Sequence, residues 1–176
     1  DMSHTFLGAP CLLYFLTGEE RVREAIQQVA DLSMSYFSEG YERDSTDAMK
    51  NCLWYYELSG DERYREHAEK ILESFLKNIA ADGGVGIPHD TGFHTNFYLL
   101  SALLLYDRLL GPEKIREGLI RIMDYEIGPR GRDDDPGVSR GASYEGLAYA
   151  YLQTRDRRYL YPGIKDLGAS ISFSNV

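Results

Sequence analysis

The stretch Tyr55–Ala68, YYELSGDERYREHA, contains the features on which the predicted fold depends. A helical pattern precedes Gly60, and glycine can take the left-handed conformation that often ends a helix. Asp61 and Glu62 follow at once. Acidic residues favour the first turn of a new helix because they face the positive end of its dipole. The stretch therefore predicts two helices joined by a tight turn, an αα-hairpin.

The same pattern occurs four times in the chain. Its copies are YFLTGEERVREA (14–25), YYELSGDERYREHA (55–68), YDRLLGPEKIREGL (106–119) and AYLQTRDRRYL (150–160). Aligned on Gly18, Gly60, Gly111 and Arg155, they lie 42, 51 and 44 residues apart. This spacing is longer than the roughly 34 residues of tetratricopeptide repeats. We predict one helical-repeat domain, 1–176, of four hairpins with approximate bounds 1–40, 41–81, 88–128 and 137–176.

The helices on the two sides of each turn differ in pattern. Those before the turn, such as FYLLSALLLYDRLL (97–110), are apolar nearly all round, which predicts burial. Those after it are amphipathic and predict outer helices. Their apolar faces comprise Tyr64, Ala68, Ile71, Leu72, Phe75, Leu76 and Ile79 in the second copy, and Ile115, Leu119, Ile122, Met123 and Ile127 in the third. No segment indicates a strand, so the predicted fold class is all-α, a helical toroid or solenoid.

Composition narrows the classes of partner. The chain has 176 residues, of which 43% are apolar and 27% charged, and its net charge is −9. This charge argues against nucleic acid or an anionic membrane as a partner, and no apolar run is long enough to predict a membrane span. Cys11 and Cys52 lie in apolar helical runs, which predicts buried free thiols. Because the chain opens at Asp1 within a motif, we expect a fragment of a larger toroid. The sequence as given shows no targeting segment and predicts no compartment. It predicts no oligomeric state either.

Polar residues gather at one phase of the repeat, just before or within the first turns of each inner helix. They are Asp1, Ser3 and His4; then Arg43, Asp44, Asp47, Lys50 and Asn51; then His89, Asp90, His94, Asn96 and Tyr98; and finally Arg140, Tyr144 and Glu145. Because inner helices packed side by side share this phase, we expect these groups to surround one cleft. Several helix N-termini would point into it, which favours an anion such as a sugar carboxylate.

Acid–base chemistry in such a cleft needs a carboxyl group with a raised pKa. The helix dipoles lower carboxylic pKa values, so a general acid must be raised by burial or by a second carboxylate. Asp44 and Asp47, three residues apart, are the candidate pair. Alternatively, Asp44, Asp47 and Asp90 only cap or begin helices, and His94 is a satisfied residue at a helix start.

Metal and cofactor sites are not predicted. His89, Asp90 and His94 lie without the Cys or HExxH context of a metal centre, and Asp133–Asp135 is typical of a solvated loop. The sequence contains no phosphate-binding loop and no dinucleotide-binding glycine pattern. The predicted partner is an oligosaccharide or polysaccharide.

Together these hairpins resemble those of the six-hairpin glycosidase superfamily, the (α/α)6 toroids of carbohydrate-active enzymes. Three segments are similar to the unsaturated glucuronyl hydrolase family within it: HDTGFHTNFYLLSALLLYDRLLG (89–111), SRGASYEGLAYAYLQTRDRRYL (139–160) and RDSTDAMKNCLWYYELSGDERY (43–64). In that family the last segment follows the first, whereas here it precedes it.

This resemblance implies a glycoside hydrolase acting on unsaturated uronate-containing or other oligosaccharides. It assigns Asp47 as the acid/base residue and Asp90 as the second catalytic aspartate. The remaining polar residues at this phase would bind substrate, namely His4, Asp44, His89, His94, Asn96, Tyr98, Arg140, Tyr144 and Glu145.

Two other functions remain open. A polysaccharide lyase of the same fold would use Tyr98 or Tyr144 as the base, with Asn96, His94 and Arg140 neutralising the substrate carboxylate. A non-catalytic helical repeat would use the same polar residues only to cap helices or to bind a partner.

Overall fold

The computed structural model describes residues 2–37, 43–81, 83–84, 93–128 and 140–162. Over these ranges the chain is all-α, as predicted, and contains no β-strand. The helices are α1 (Gly8–Thr17), α2 (Glu20–Ser33), α3 (Arg43–Ser59), α4 (Glu62–Lys77), α5 (Phe93–Leu110), α6 (Arg116–Ile127) and α7 (Arg140–Thr154). Short 3-10 helices lie at Met2–His4 and Arg157–Tyr159.

The four aligned link residues share one backbone conformation. Their φ angles are 67° at Gly18, 68° at Gly60, 91° at Gly111 and 61° at Arg155. In every link the backbone N–H of this residue donates to the carbonyl four residues earlier, at 2.7–2.9 Å. The predicted left-handed helix ends are therefore confirmed, and the fourth copy keeps the conformation without a glycine.

A hydroxyl side chain precedes the left-handed residue in three of the links. Thr17, Ser59 and Thr154 each donate to the carbonyl four residues back, at 2.9, 2.7 and 2.8 Å. Each also accepts the N–H of the residue two ahead, at 3.3, 3.1 and 3.1 Å. In the third link Leu110 occupies this position, and Pro112 two ahead has no N–H to satisfy. The exception thus has its own cause in the sequence.

Acidic residues then begin the next helical segment in two links. Asp61 accepts the N–H of Arg63 at 3.1 Å, and Asp156 accepts the N–H of Arg158 at 2.9 Å. Both are N-caps, because each satisfies one of the unpaired donors of a helix start.

The chain divides into two compact units, one formed by 1–78 with 101–113 and the other by 79–100 with 114–176. In the first unit α3 packs against α1, α2 and α4. Six of the seven residues of the predicted apolar face of α4 are buried, and Leu76 is half-buried. The buried residues are Tyr64, Ala68, Ile71, Leu72, Phe75 and Ile79.

In the second unit α6 packs against α7. Four residues of its predicted face, Ile115, Leu119, Ile122 and Met123, are buried, and the fifth, Ile127, is half-buried. A Cβ atom on Gly146 of α7 would lie 2.6 Å from the sulfur of Met123, so the absence of a side chain allows this close approach.

One tyrosine in each unit ties a link to the preceding outer helix. Tyr64 lies four residues after Gly60 and donates to Asp31 of α2. Tyr159 lies four residues after Arg155 and donates to Asp124 of α6 at 2.8 Å. The repeat therefore extends from the local turn to a tertiary hydrogen bond.

Helix α1 departs from the predicted burial of inner helices. Cys11 is its one buried residue, whereas Leu12, Leu13, Phe15 and Leu16 are exposed, the last by 86%. The physical reason is that α1 packs on α2 and α3, which cover the side that carries Cys11. Apolarity of a helix predicts that its surface favours burial, but not that a neighbour covers every side.

Both cysteines are free and buried, as predicted. Burial raises the pKa of each thiol to about 12. None of the described helices combines the length and apolarity needed to cross a membrane.

Candidate functional site

The site in the first unit is built on Asp47, in the second turn of α3. Its side chain is fully buried, and its Oδ1 lies 2.5 Å from the Nζ of Lys50, whose side chain is 15% exposed. Residues three apart lie on the same side of a helix, so the sequence spacing alone brings the two charges together. The result is an ion pair with its carboxylate inside and its amine towards solvent.

The Nζ of Lys50 lies at hydrogen-bond distance from the carboxylate, although the angles of this contact are poor. The hydrogen bond and the charge of Lys50 both favour the ionised form of Asp47. Burial has the larger effect and raises the pKa of Asp47, while Lys50 and Arg43 oppose the rise and Asp44 adds to it. Burial and a neighbouring carboxylate thus both act on Asp47 in the direction expected for a general acid.

Lys50 also contacts two other elements. Its Nζ lies 3.5 Å from the hydroxyl of Ser101 on α5 and 5.3 Å from the centroid of the Phe6 ring. The Phe6 side chain is 52% exposed. An ammonium group, a hydroxyl and an open aromatic ring thus lie together beside the buried carboxylate.

Asn51 holds the N-terminal segment in place next to this pair. Its Oδ1 accepts the N–H of Leu7 at 3.1 Å, and its Nδ2 donates to the carbonyl of Thr5 at 3.0 Å. The same Nδ2 lies 3.3 Å from the hydroxyl of Ser33 on α2. Because these bonds hold the backbone on both sides of Phe6, Asn51 fixes the segment that carries the ring.

The predicted residues of the first unit lie near Asp47 to different degrees. Asp44 lies in the first turn of the same helix, and its negative charge raises the pKa of Asp47. One of its carboxylate oxygens is buried without a hydrogen-bond partner among the described residues. His4 is exposed at the end of the N-terminal 3-10 helix.

The predicted residues of the second unit lie in the first turns of α5 and α7. His94, Asn96 and Tyr98 follow the start of α5 at Phe93, and Arg140 begins α7. The side chains of these four residues, and all of His89 and Asp90, lie outside the described residues. Tyr144 and Glu145, in the second turn of α7, are exposed. The shared phase at helix starts is confirmed by the backbone, whereas convergence on one cleft stays a prediction.

The sequence pattern does not predict a functional role for three residues of this site, Lys50, Asn51 and Phe6. It places Lys50 and Asn51 in the polar phase of the repeat and gives no signal for Phe6. The signal for the first two is their spacing, three and four residues after Asp47, which places all three on one side of α3. Phe6 could not be found this way, because its position depends on tertiary hydrogen bonds to Asn51.

The second unit contains another acid with a changed pKa. Burial raises the pKa of Glu126, on α6, to about 7. The sequence pattern assigned no role to this residue. In the described part of the chain, no group of three or more His, Cys, Asp or Glu side chains could hold a metal ion.

Comparison of the chain with models of protein families, with curated proteins and with solved structures finds no match in any of the three.

Proposed function

We propose that the chain is a carbohydrate-active enzyme domain, a glycoside hydrolase that acts on unsaturated uronate-containing or other oligosaccharides. In this proposal its αα-hairpins form part of an (α/α)6-type toroid. The observation that carries it is the state of Asp47, a buried carboxyl group whose pKa is raised and which lies beside a partly exposed cation. Burial raises the pKa of Asp47, which is the direction that general acid catalysis requires.

The proposed roles follow from the chemistry of sugar cleavage. Asp47 donates a proton to the reacting sugar, and Asp90 positions water or shares charge. Arg140 and His94 bind the uronate carboxylate or hydroxyl groups. Glycoside hydrolysis commonly uses two carboxyl groups in such complementary roles.

The test follows the ultraviolet absorbance of the sugar double bond while the chain is incubated with unsaturated uronyl oligosaccharides. A hydrolase of this type destroys the double bond, so we expect the absorbance to fall. Unchanged absorbance would refute the proposal. A rise in absorbance with saturated uronate polymers would instead identify a polysaccharide lyase, because β-elimination creates the double bond.

The complete burial of Asp47 favours a second candidate, a non-catalytic helical repeat. A proton donor must reach its substrate, whereas a carboxylate that only stabilises α3 through Lys50 need not. In that case Asp47 would affect the free energy of unfolding, and neither unsaturated nor saturated sugars would be turned over.

A further inference from the structure

The Asp47–Lys50 pair presents only its cation to solvent. The carboxylate side chain is fully buried and the lysine side chain is 15% exposed. An anion that approaches this part of the first unit therefore meets Lys50 before it meets Asp47. The net charge of the whole chain is −9, whereas the exposed part of this pair carries the positive charge of Lys50.

The groups around Lys50 suit a sugar rather than a bare ion. The Phe6 ring is half exposed and lies 5.3 Å from Nζ, and an aromatic ring can stack on the apolar face of a sugar. The hydroxyl of Ser101, 3.5 Å from Nζ, can exchange a hydrogen bond with a sugar hydroxyl. Asn51 fixes the backbone on both sides of Phe6, so the segment that carries the ring is in place before any ligand arrives.

We propose that Lys50 recognises the carboxylate of an acidic saccharide and, by sharing its charge with that carboxylate, leaves Asp47 protonated. The ligand class rests on the proposed function, whereas the coupling between Lys50 and Asp47 rests on their ion pair. In physical terms, the ligand carboxylate competes with Asp47 for a single ammonium group, so the charged form of Asp47 loses stabilisation. Asp47 then takes up one proton from solvent.

Other charges act on Asp47 and belong in the same balance. Among the described residues these are Arg43, which favours the ionised form, and Asp44, which disfavours it, both on α3. Two of the groups in contact with Lys50, Ser101 on α5 and Phe6 on the N-terminal segment, carry no charge. Lys50 lies against the Asp47 carboxylate at 2.5 Å, so an external anion that binds its amine can change the protonation of Asp47.

The experiment measures the pKa of Asp47 by carboxyl carbon NMR in the full chain at constant ionic strength. It is repeated with D-glucuronate and with D-glucose at the same concentration. We expect glucuronate to raise the pKa of Asp47 by about one unit, a roughly tenfold change in proton affinity, and glucose to leave it unchanged. The inference would be overturned if the pKa of Asp47 did not rise at a glucuronate concentration that saturates the shift of the Lys50 amine signal. If acetate raised the pKa of Asp47 as much as glucuronate does, the assignment of a saccharide as the ligand class would be overturned.

Matched variants assign the effect to Lys50. Lys50→Met is expected to abolish the response, and Lys50→Arg to retain it. The control is Lys70→Met, because the amine of Lys70 also lies over a phenylalanine, Phe37, at 4.2 Å. A response that survives in Lys50→Met would contradict the inference. If Lys50→Met does not fold, the nitrogen NMR signal of Lys50 in the unaltered chain must shift with glucuronate and not with glucose, and a signal that stays in place would be equally decisive against it.

This outcome is independent of turnover. A glucuronate-induced rise in a chain that cleaves no saccharide would support the Lys50 inference and refute the hydrolase. Cleavage of unsaturated substrates without such a rise would support the hydrolase and refute the inference.

Discussion

Asp47 combines full burial, a raised pKa and a cation, Lys50, in contact with its carboxylate. The i,i+3 spacing to Lys50 is visible in the sequence, and so is the acidic neighbour Asp44. The burial is not, because it depends on how the N-terminal segment and the neighbouring helices of the first unit pack against α3. A raised pKa means that the folded chain binds the proton more tightly than the unfolded chain. The stability from this residue is therefore present at low pH and lost as the pH rises through the raised pKa.

Glu126 tests the same pH dependence of stability, a loss as the pH rises, at a second carboxyl group. Its pKa is about 7 in the folded chain and close to the ordinary glutamate value of about 4.3 when unfolded. Between these values the folded chain binds more protons, so the free energy of unfolding falls as the pH rises. Glu126→Gln is expected to stabilise the chain at about pH 8 and not at about pH 4, as measured by urea denaturation.

The control for Glu126 is Glu73→Gln, which changes an exposed glutamate of α4. Its unfolding free energy is expected to follow that of the parent at every pH. If both variants follow the parent, the raised pKa of Glu126 would be contradicted.

The two cysteines give a prediction about reactivity. Thiolate is the reactive form, and a pKa of about 12 leaves almost none of it near neutral pH. We therefore expect Cys11 and Cys52 to resist a thiol reagent in the native chain and to react once the chain is unfolded in urea. Rapid labelling of either thiol in the native chain would contradict their burial.

At the scale of the element, the αα-link is the feature that the sequence predicts best. Glycine before an acidic residue indicates the turn, and all four aligned positions have the left-handed conformation. Arg155 shows that the conformation is imposed by the link as a whole. There the hydroxyl of Thr154 and the cap at Asp156 are retained without the glycine. The sequence could not indicate the tyrosine bonds to the preceding outer helix, since they join residues more than 30 positions apart.

Exchanging residues between two links tests this interpretation. A left-handed backbone costs a residue with a Cβ about 1 kcal/mol or more relative to glycine. No atom lies within 4 Å of a Cβ built on Gly60, so the cost of Gly60→Ala is conformational rather than steric. We expect Gly60→Ala to lower the free energy of unfolding by about 1 kcal/mol and Arg155→Gly to raise it by up to about the same amount.

Chemical denaturation measures both changes. Opposite signs would support a shared left-handed link. Destabilisation by Arg155→Gly would show that the arginine side chain stabilises the fourth link by more than its backbone strain costs.

At the scale of the whole molecule, the sequence predicts which helices are amphipathic and which are apolar. It does not predict how much of each helix its neighbours bury. The apolar faces of α4 and α6 are buried as expected, because an outer helix has one neighbouring layer and one wet side. For α1 the pattern predicts burial on every side, yet Leu12, Leu13, Phe15 and Leu16 are exposed. Periodicity reports which residues favour burial, whereas coverage depends on which other segments lie alongside.

Two leucines of the first unit, Leu53 and Leu16, test this difference. Leu53 of α3 is fully buried and Leu16 of α1 is 86% exposed. Leu53→Ala is expected to lower the free energy of unfolding by about 2–5 kcal/mol through lost burial and a cavity. Leu16→Ala is expected to change it by less than about 0.5 kcal/mol. Equal losses at both positions, measured by urea denaturation, would show that Leu16 is covered in solution.

For the candidate site too, the sequence pattern predicts where residues lie along the helices, whereas tertiary packing determines which of them come together. Helix starts carry Asp44 and Asp47 in one unit and His94, Asn96, Tyr98 and Arg140 in the other, as the repeat predicts. A common phase indicates which residues are able to meet. Their convergence in one cleft requires the arrangement of all the inner helices, and it remains part of the proposal.

The central claim is that Asp47 supplies the proton in sugar cleavage. The most direct measurement is kcat/KM for an unsaturated uronyl oligosaccharide with Asp47→Asn, compared with the parent and with Asp31→Asn, which changes the carboxylate bonded to Tyr64. Loss of a general acid is expected to lower kcat/KM by about 10² to 10⁴, with Asp31→Asn close to the parent. An Asp47→Asn variant as active as the parent would contradict the account.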